Sequence, residues 1–436
     1  MKVFCAFREV RNRLPMGVFL ASSLVVGAAD WPQYRGPNLD GTTSEKVLTA
    51  WPAGGLTKLW QVSVTEGFSS FAVSGGRAYT IVTRESQGAG QEALIALDAK
   101  TGKEAWAVSL ATIAKYDGGG NDGTPDNKGG DGARSTPTVD GDRVYALSSQ
   151  LILSCVDAKS GKGVWRKDIL KEFNGKNIQW QNAASPVIDG DLLFVGGGGP
   201  GESLIALNKA DGKVVWKKET ETITHSTPVV ATILGVRQVI FFTRSGLVSL
   251  ATKDGALLWK QPFKFAVSTA ISPIVGGDIV YCAAGYGVGS GAYKISKQGN
   301  SFTSAELWRS TGNQPVANHW STPIFKDGYL YGMFQFKEYG KGPLKCVELA
   351  TGKVMWEKPG YGPGNVILAG DKLIALADNG ELVLVDASPK AYKELARAKV
   401  LDGKCWSTPV LSDGHVFARS TKSAVCVDLT PKAAQR

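Results

Sequence analysis

Apolar and polar residues alternate along this chain in short runs, and the runs recur. "STPTVDGDRVYAL", residues 135–147, carries a period-2 apolar pattern that a Gly-Asp pair interrupts and that then resumes. Such a pattern predicts a hairpin of two short strands. Clear copies begin at Ala184, Ser321 and Ser407, looser ones at Ser69, Ser226 and Ile271, and the weakest at Gly364. A second phrase follows, as in "ALDAKTGKEAW", residues 96–106: an alternating strand, a turn, and a strand reaching a Trp. It returns as "CVDAKSGKGVW", "ALNKADGKVVW", "SLATKDGALLW" and "CVELATGKVMW", each with a Gly four residues before the Trp. Hairpin and phrase together make a unit of four strands, and the starts number eight.

A repeat of this kind overrides the two or three domains that length alone suggests. The eighth unit stops after "AVCVDL", three strands in, while "LTKLWQV", residues 56–62, stands alone before the first unit. The chain ends are therefore expected to complete one sheet between them, closing a ring without an unpaired edge. The expected fold is an all-β, eight-bladed β-propeller of four-stranded antiparallel blades, closed by an N-terminal strand. The Gly of each phrase permits a tight turn and leaves bare backbone on which a Trp of the neighbouring blade can lie. Gly102, Trp106, Gly161, Trp165, Gly212, Trp216, Gly255, Trp259, Gly352 and Trp356 are accordingly expected to dock blade on blade.

The phrase resembles the tryptophan-docking motif of quinoprotein-type propellers, the repeat named after pyrroloquinoline quinone (PQQ). The resemblance runs from Asp30 to about Leu429, and the opening "DWPQYRGPNLDG", residues 30–41, is similar to that of exported quinoprotein-like propellers. Two better understood groups share the repeat: quinone-dependent alcohol and sugar dehydrogenases, and the outer-membrane assembly lipoprotein BamB. The resemblance implies the fold; it does not choose between these functions.

The first 29 residues read separately. Lys2, Arg8, Arg11 and Arg13 precede an apolar run, residues 14–26, and small residues follow at Gly27 and Ala29. This is the pattern of a secretory signal cleaved near Ala29, too short for a membrane anchor. Cleavage removes four basic residues and Glu9, a net +3, and takes the charge from +10 to +7. The division expected is residues 1–29 signal, 30–55 lead-in, 56–430 propeller and 431–436 tail. The remaining Lys and Arg are scattered, which predicts no nucleic-acid partner. Cys155, Cys346 and Cys426 fill one slot of three different units, so they cannot pair with one another and read as small core residues. Cys405 shares a unit with Cys426, the one place a bridge is conceivable.

Function is expected on the face whose loops are long and varied: residues 84–92, 196–203, 283–292, 335–344 and the Gly/Asp/Asn insert 117–132. The positions just before each inner strand border the channel on that face. They bring Phe68, Arg134, Asn182, His225, His319, Trp320 and Trp406 to one mouth, a set suited to a planar or anionic ligand. None of these mouth positions, nor those one step before them, is Asp or Glu, and no two Cys are adjacent. A calcium-held quinone needs carboxylates. No catalytic residue, metal ligand or cofactor is therefore expected. The reading is an exported, periplasmic or secreted, monomeric binding scaffold that does not span the membrane. Its partner is a protein, peptide or saccharide of the cell envelope. The alternative is a PQQ- and calcium-dependent dehydrogenase, for which Glu202, Glu338 or Asp378 would have to reach inward.

Overall fold

Eight antiparallel sheets succeed one another around a central channel in the computed structural model. It describes Met1 and residues 30–65, 67–86, 89–113, 132–312, 315–334 and 342–431. The signal segment, the insert 117–131, most of the 335–344 loop and the tail beyond 431 lie outside the described residues. Each blade runs from an inner strand at the channel to an outer one at the rim: in blade 1, Ala72–Ser74, Arg77–Ser86, Ala89–Asp98 and Glu104–Ile113. Two of the expected long loops are shorter than the sequence suggests. Residues 84–92 are mostly ladder, Arg84 opposite Gln91, and the 283–292 loop narrows to four residues between strands ending at Ala284 and beginning at Gly289. Blade 8 is built from Val410–Ser412, His415–Arg419, Ser423–Asp428 and, from the other end of the chain, Lys58–Ser63.

One cross-strand rung explains most of the repeat. A small residue on the third strand sits between an aromatic on the second and the Trp on the outer one. Ala96 lies between Tyr79 and Trp106, Cys155 between Tyr145 and Trp165, and Cys426 between Phe417 and Trp60. In those blades the two rings lie 5.8, 5.9 and 5.9 Å apart, a favourable aromatic spacing. The slot is Ala or Cys in the six blades whose second strand supplies a ring; in blades 4 and 7, where Ile240 and Ile374 stand there instead, it holds Ser249 and Leu384. All five described cysteines are buried and free, Cys405 and Cys426 included.

In every blade the outer strand shifts register at this rung. A bulge re-aims a side chain, and here the Trp leans toward the next blade. Trp60, Trp106, Trp165, Trp216 and Trp308 lie on Gly102, Gly161, Gly212, Gly255 and Gly352 respectively. Each of these glycines has φ between +69° and +73°, and a Cβ there would meet the indole at 2.7–3.0 Å. The indole N–H closes the clasp by donating to a carbonyl of the same turn, as Trp60 does to Ala99 at 2.8 Å and Trp216 to Thr252 at 2.8 Å. Trp356 does the same at Ser388, where the turn has no Gly.

Trp259 departs from the expectation. Its N–H donates to the Gln238 side chain of its own blade at 2.7 Å, and Ser249 donates to the same oxygen at 2.6 Å. In blade 5 the third and fourth strands, Gly289–Gln298 and Ser301–Ser310, continue as a ten-residue ladder, with no docking Gly of the kind that blades 1, 2, 3, 4 and 6 carry. That junction is joined instead by Ser304 donating to the Lys260 carbonyl and by Arg309 stacked 3.6 Å over Phe263. Blade 7 has Ala396 in the Trp slot and also lacks a clasp.

The lead-in is a structural element in its own right. Trp31 exchanges two 2.8 Å backbone bonds with Val73, and the Pro32 carbonyl accepts from Val139. The segment then crosses beneath the channel to blade 6, where the Arg35 guanidinium donates to the carbonyls of Thr322 and Pro323 as well as its own Leu39 and Asp40. Thr42–Thr43 adds a parallel fifth strand to blade 7, and Leu48 bonds the Leu429 carbonyl of blade 8. The lead-in thus staples the junction of blades 7 and 8, where the Trp clasp is missing.

Candidate functional site

With the lead-in beneath it, the channel is left as a cavity of about 320 Å³, with Tyr34 among its lining residues. Phe68, Arg134, His225, His319, Trp320 and Trp406 line it. Asn182 does not. Its side chain is buried against the Ser148 and Ala184 backbone, where it braces the loop between blades 2 and 3. Two aromatics join that sequence reasoning missed: Trp180 and Tyr286. Neither precedes an inner strand. Both sit on loops, and both have left-handed backbone, φ 64° and 57°, as does Gln181 at 62°.

That conformation costs a non-glycine residue roughly 1–2 kcal/mol, and the surroundings impose it. Asn177 donates to the Ser149 carbonyl at 2.9 Å, the Asn182 N–H to the same oxygen at 3.0 Å, and Arg134 to the Trp180 carbonyl at 2.9 Å. The loop is launched by the short helix Ile169–Glu172, capped by Asp168.

The rings form a nearly continuous rim. Phe68 stacks on Trp406 at 5.5 Å, Trp406 meets Trp320 at 4.5 Å, and Trp320 meets His319 at 5.3 Å. Tyr286 stands edge-on to His319 at 4.8 Å and stacks with Trp180 at 6.4 Å. The indole N–H of Trp320 donates to the Pro363 carbonyl at 3.0 Å, and that of Trp406 to Asp378. Both rings are thereby fixed in orientation. Arg134 lies 5.6 Å over Phe68 and brings a fixed positive charge.

Both histidines are held neutral. Burial, and then the Arg134 charge, lowers His225 to about 4; burial, and then His225, lowers His319 to about 3. His225 Nε2 is 3.0 Å from the Gln179 carbonyl and must carry the proton, which leaves Nδ1 to accept from the Ser268 hydroxyl.

No lining residue is Asp or Glu. Asp378 lies behind the wall, bonded to Trp406 and, at 2.9 Å, to Lys404. Glu202 is engaged with Asn174 and Lys217 on the outer part of blade 3, and Glu338 lies outside the described residues. Among the described residues no group of three His, Cys, Asp or Glu could hold a metal. The cavity's donor set therefore does not fit a quinone held by calcium, which demands carboxylate oxygens.

The architecture is that of the quinoprotein-type propellers. Residues 91–358 match the family described as outer membrane protein assembly factor BamB, and the chain belongs to that family. It is 28% identical over 268 residues to the outer membrane protein assembly factor BamB of Shewanella oneidensis, a span of 58% of this chain and 64% of that relative. It is 24% identical to the Yersinia pestis protein of the same name over 61% of this chain and 69% of the relative. The match thus covers slightly under two thirds of the Shewanella protein. Among solved structures, BamB from Moraxella catarrhalis superposes with a TM-score of 0.59 at 15% identity, over 87% of this chain and 99% of that one. Quinohemoprotein alcohol dehydrogenase from Comamonas testosteroni superposes with 0.63 at 12%, over 94% and 82%. These two likenesses establish the fold alone.

Proposed function

We propose that this chain is a non-catalytic binding propeller of the cell envelope that holds a partner at its loop-rich face and cavity mouth. The observation that carries the reading is the chemistry of the cavity: aromatic rings, neutral imidazoles and one guanidinium, with no carboxylate to bind a metal or act as a base. Relatives named outer membrane protein assembly factors support a protein partner at the outer membrane. Among the described residues no helix is long and apolar enough to cross a membrane.

The test has two arms. Purified protein mixed with the quinone and calcium, then dialysed, is expected to retain no quinone absorbance. In cells, a photo-cross-linker at the exposed Tyr286 is expected to trap a partner, while one at the equally exposed Leu257 on an outer strand is not. Stoichiometric quinone retention, or cross-linking from Leu257 alone, overturns the proposal.

A further inference from the structure

The cavity has two unlike sides, and the difference arises in the repeat. The second residue of the phrase that opens each inner strand is a hydroxyl residue in seven of the eight units. In blades 2, 3 and 4 these are Thr136, Ser185 and Thr227, all lining the cavity and no more than 4% exposed. Each accepts a backbone N–H from the preceding inner strand: Ser70 to Thr136 at 3.1 Å, Thr136 to Ser185 at 2.9 Å, and Ser185 to Thr227 at 2.9 Å. The oxygen is thus engaged as acceptor, and its own O–H donates to no described group. The equivalent Ser70 and Ser272 behave differently. They donate their hydroxyls to the carbonyls of Thr408 and Thr227, and neither lines the cavity.

Three O–H donors therefore remain for the cavity, and Arg134, from blade 2, stands on the same side. Phe68, Trp320 and Trp406, from blades 1, 6 and 8, dominate the other side, which also carries Asn365 and Thr408. Acceptors are scarce on the polar side. It has no carboxylate, and both His225 nitrogens are engaged. A ligand bringing its own N–H or O–H groups there would leave them unpaired, which disfavours it. A ligand bringing only acceptors would be satisfied, and a carboxylate does that while matching the guanidinium fork. The aromatic side calls for a flat body. A space of about 320 Å³ at the small end of ligand pockets suits one or two rings.

We infer that the cavity is a receptor for a small monocarboxylate carried on a six-membered ring, the shared chemistry of a uronic acid and a benzoic acid. The carboxylate faces Arg134, Thr136, Ser185 and Thr227, and the ring lies against Trp320 and Trp406. This rests on the reading of the cavity as a binding site.

Indole fluorescence and calorimetry on the mature protein test it, with glucuronate, benzoate, methyl glucoside and benzamide as probes. At least one acid is expected to bind with a Kd below about 1 mM. Its neutral counterpart should bind at least about tenfold more weakly. Binding by glucuronate alone identifies a sugar acid, and binding by benzoate alone an aromatic acid. Arg134→Gln should weaken the acid by about tenfold or more, and Thr227→Val should weaken it while Thr227→Ser preserves it. Circular dichroism and melting temperature identify any variant that fails to fold, and the Val/Ser pair at 227 carries the test if Arg134→Gln does. The inference is overturned if neither acid binds at 10 mM, about tenfold above the expected Kd. It is equally overturned if neutral probes bind as well, or if folded variants bind unchanged. Cross-linking at Tyr286 reads partner capture separately, so failure of the acids alone removes this inference and leaves the scaffold reading standing.

Discussion

His225 and His319 make the fold itself a reporter of acid. Each has a folded pKa, about 4 and about 3, below the ordinary histidine value of 6.5. The unfolded chain therefore binds more protons as pH falls below 6.5, and stability must drop through that window as pH is lowered, recovering as it is raised. The loss should amount to roughly 3–5 kcal/mol per histidine by the time pH reaches the folded values. The melting temperature is expected to fall between pH 7 and pH 5, before most carboxylates titrate, and His225→Gln should flatten that dependence. An unchanged slope in the variant would show that the burial of His225 is not what couples folding to acid. The cysteines make the opposite case of a silent residue. Burial pushes Cys155 up to about 11 and Cys346, Cys405 and Cys426 up to about 12. With no thiolate and no access, a thiol reagent is expected to find none of the five in the native mature protein and all five after unfolding. Labelling of native protein at Cys155, Cys346 or Cys426 would contradict the rung that places them between rings.

Between blades, a Trp and a left-handed Gly act as one device, and either half can be removed. Trp216→Ala deletes a ring buried against Gly255 and should cost on the order of 3–5 kcal/mol. Gly255→Ala adds a Cβ 2.7 Å from that ring at a φ of +69°. It should cost the roughly 1–2 kcal/mol of left-handed alanine plus the displacement of the indole. Urea unfolding of both variants and of the double mutant checks the pairing: losses that simply add would mean the two residues do not act together. The device was legible in the sequence because it repeats. Trp60 and Trp308 were legible only in part, the first because its strand is separated from its blade by the whole chain. Trp259 could not be told from the others by spacing, since what diverts it is a Gln two strands away in its own blade and an unusually long hairpin in the next blade. Mouth residues fixed by strand geometry, such as Trp320 and Trp406, could be found by counting back from the inner strands. Trp180 and Tyr286 could not, because their places depend on strained loop backbone that leaves no periodic trace. Asn182 shows the converse, a residue at the right count whose side chain turns back to satisfy its own loop.

At the scale of the whole ring, two of the eight junctions lack a Trp clasp, and the chain compensates for one of them with its own beginning. Residues 41–48 bond Leu368 and Gly370 of blade 7 and Leu429 of blade 8, and the Gly414 N–H of blade 8 donates to Glu45 at 2.7 Å. The same segment lies across the channel under Thr322 and Pro323, so ring closure and the floor of the cavity are one structure. Arg35 is its anchor, fully buried and satisfied only by carbonyls, with burial pulling its pKa down. Replacing it strands those carbonyls without a donor, at roughly 1–3 kcal/mol for each that finds no water. Arg35→Met is therefore expected to lower global stability by a few kcal/mol. Its local effect is the sharper test. Hydrogen exchange should quicken most at Val73 and Val139, whose amides bond the lead-in, and at Leu368, which bonds the Gly41 carbonyl. Amides of the clasped outer strands, such as those around Trp106 and Trp165, should keep their protection relative to the global limit. Uniform acceleration across all eight blades would mean that the lead-in is only one more contributor to a single cooperative core. Selective acceleration at the channel would mean that the lead-in closes both the ring and its cavity.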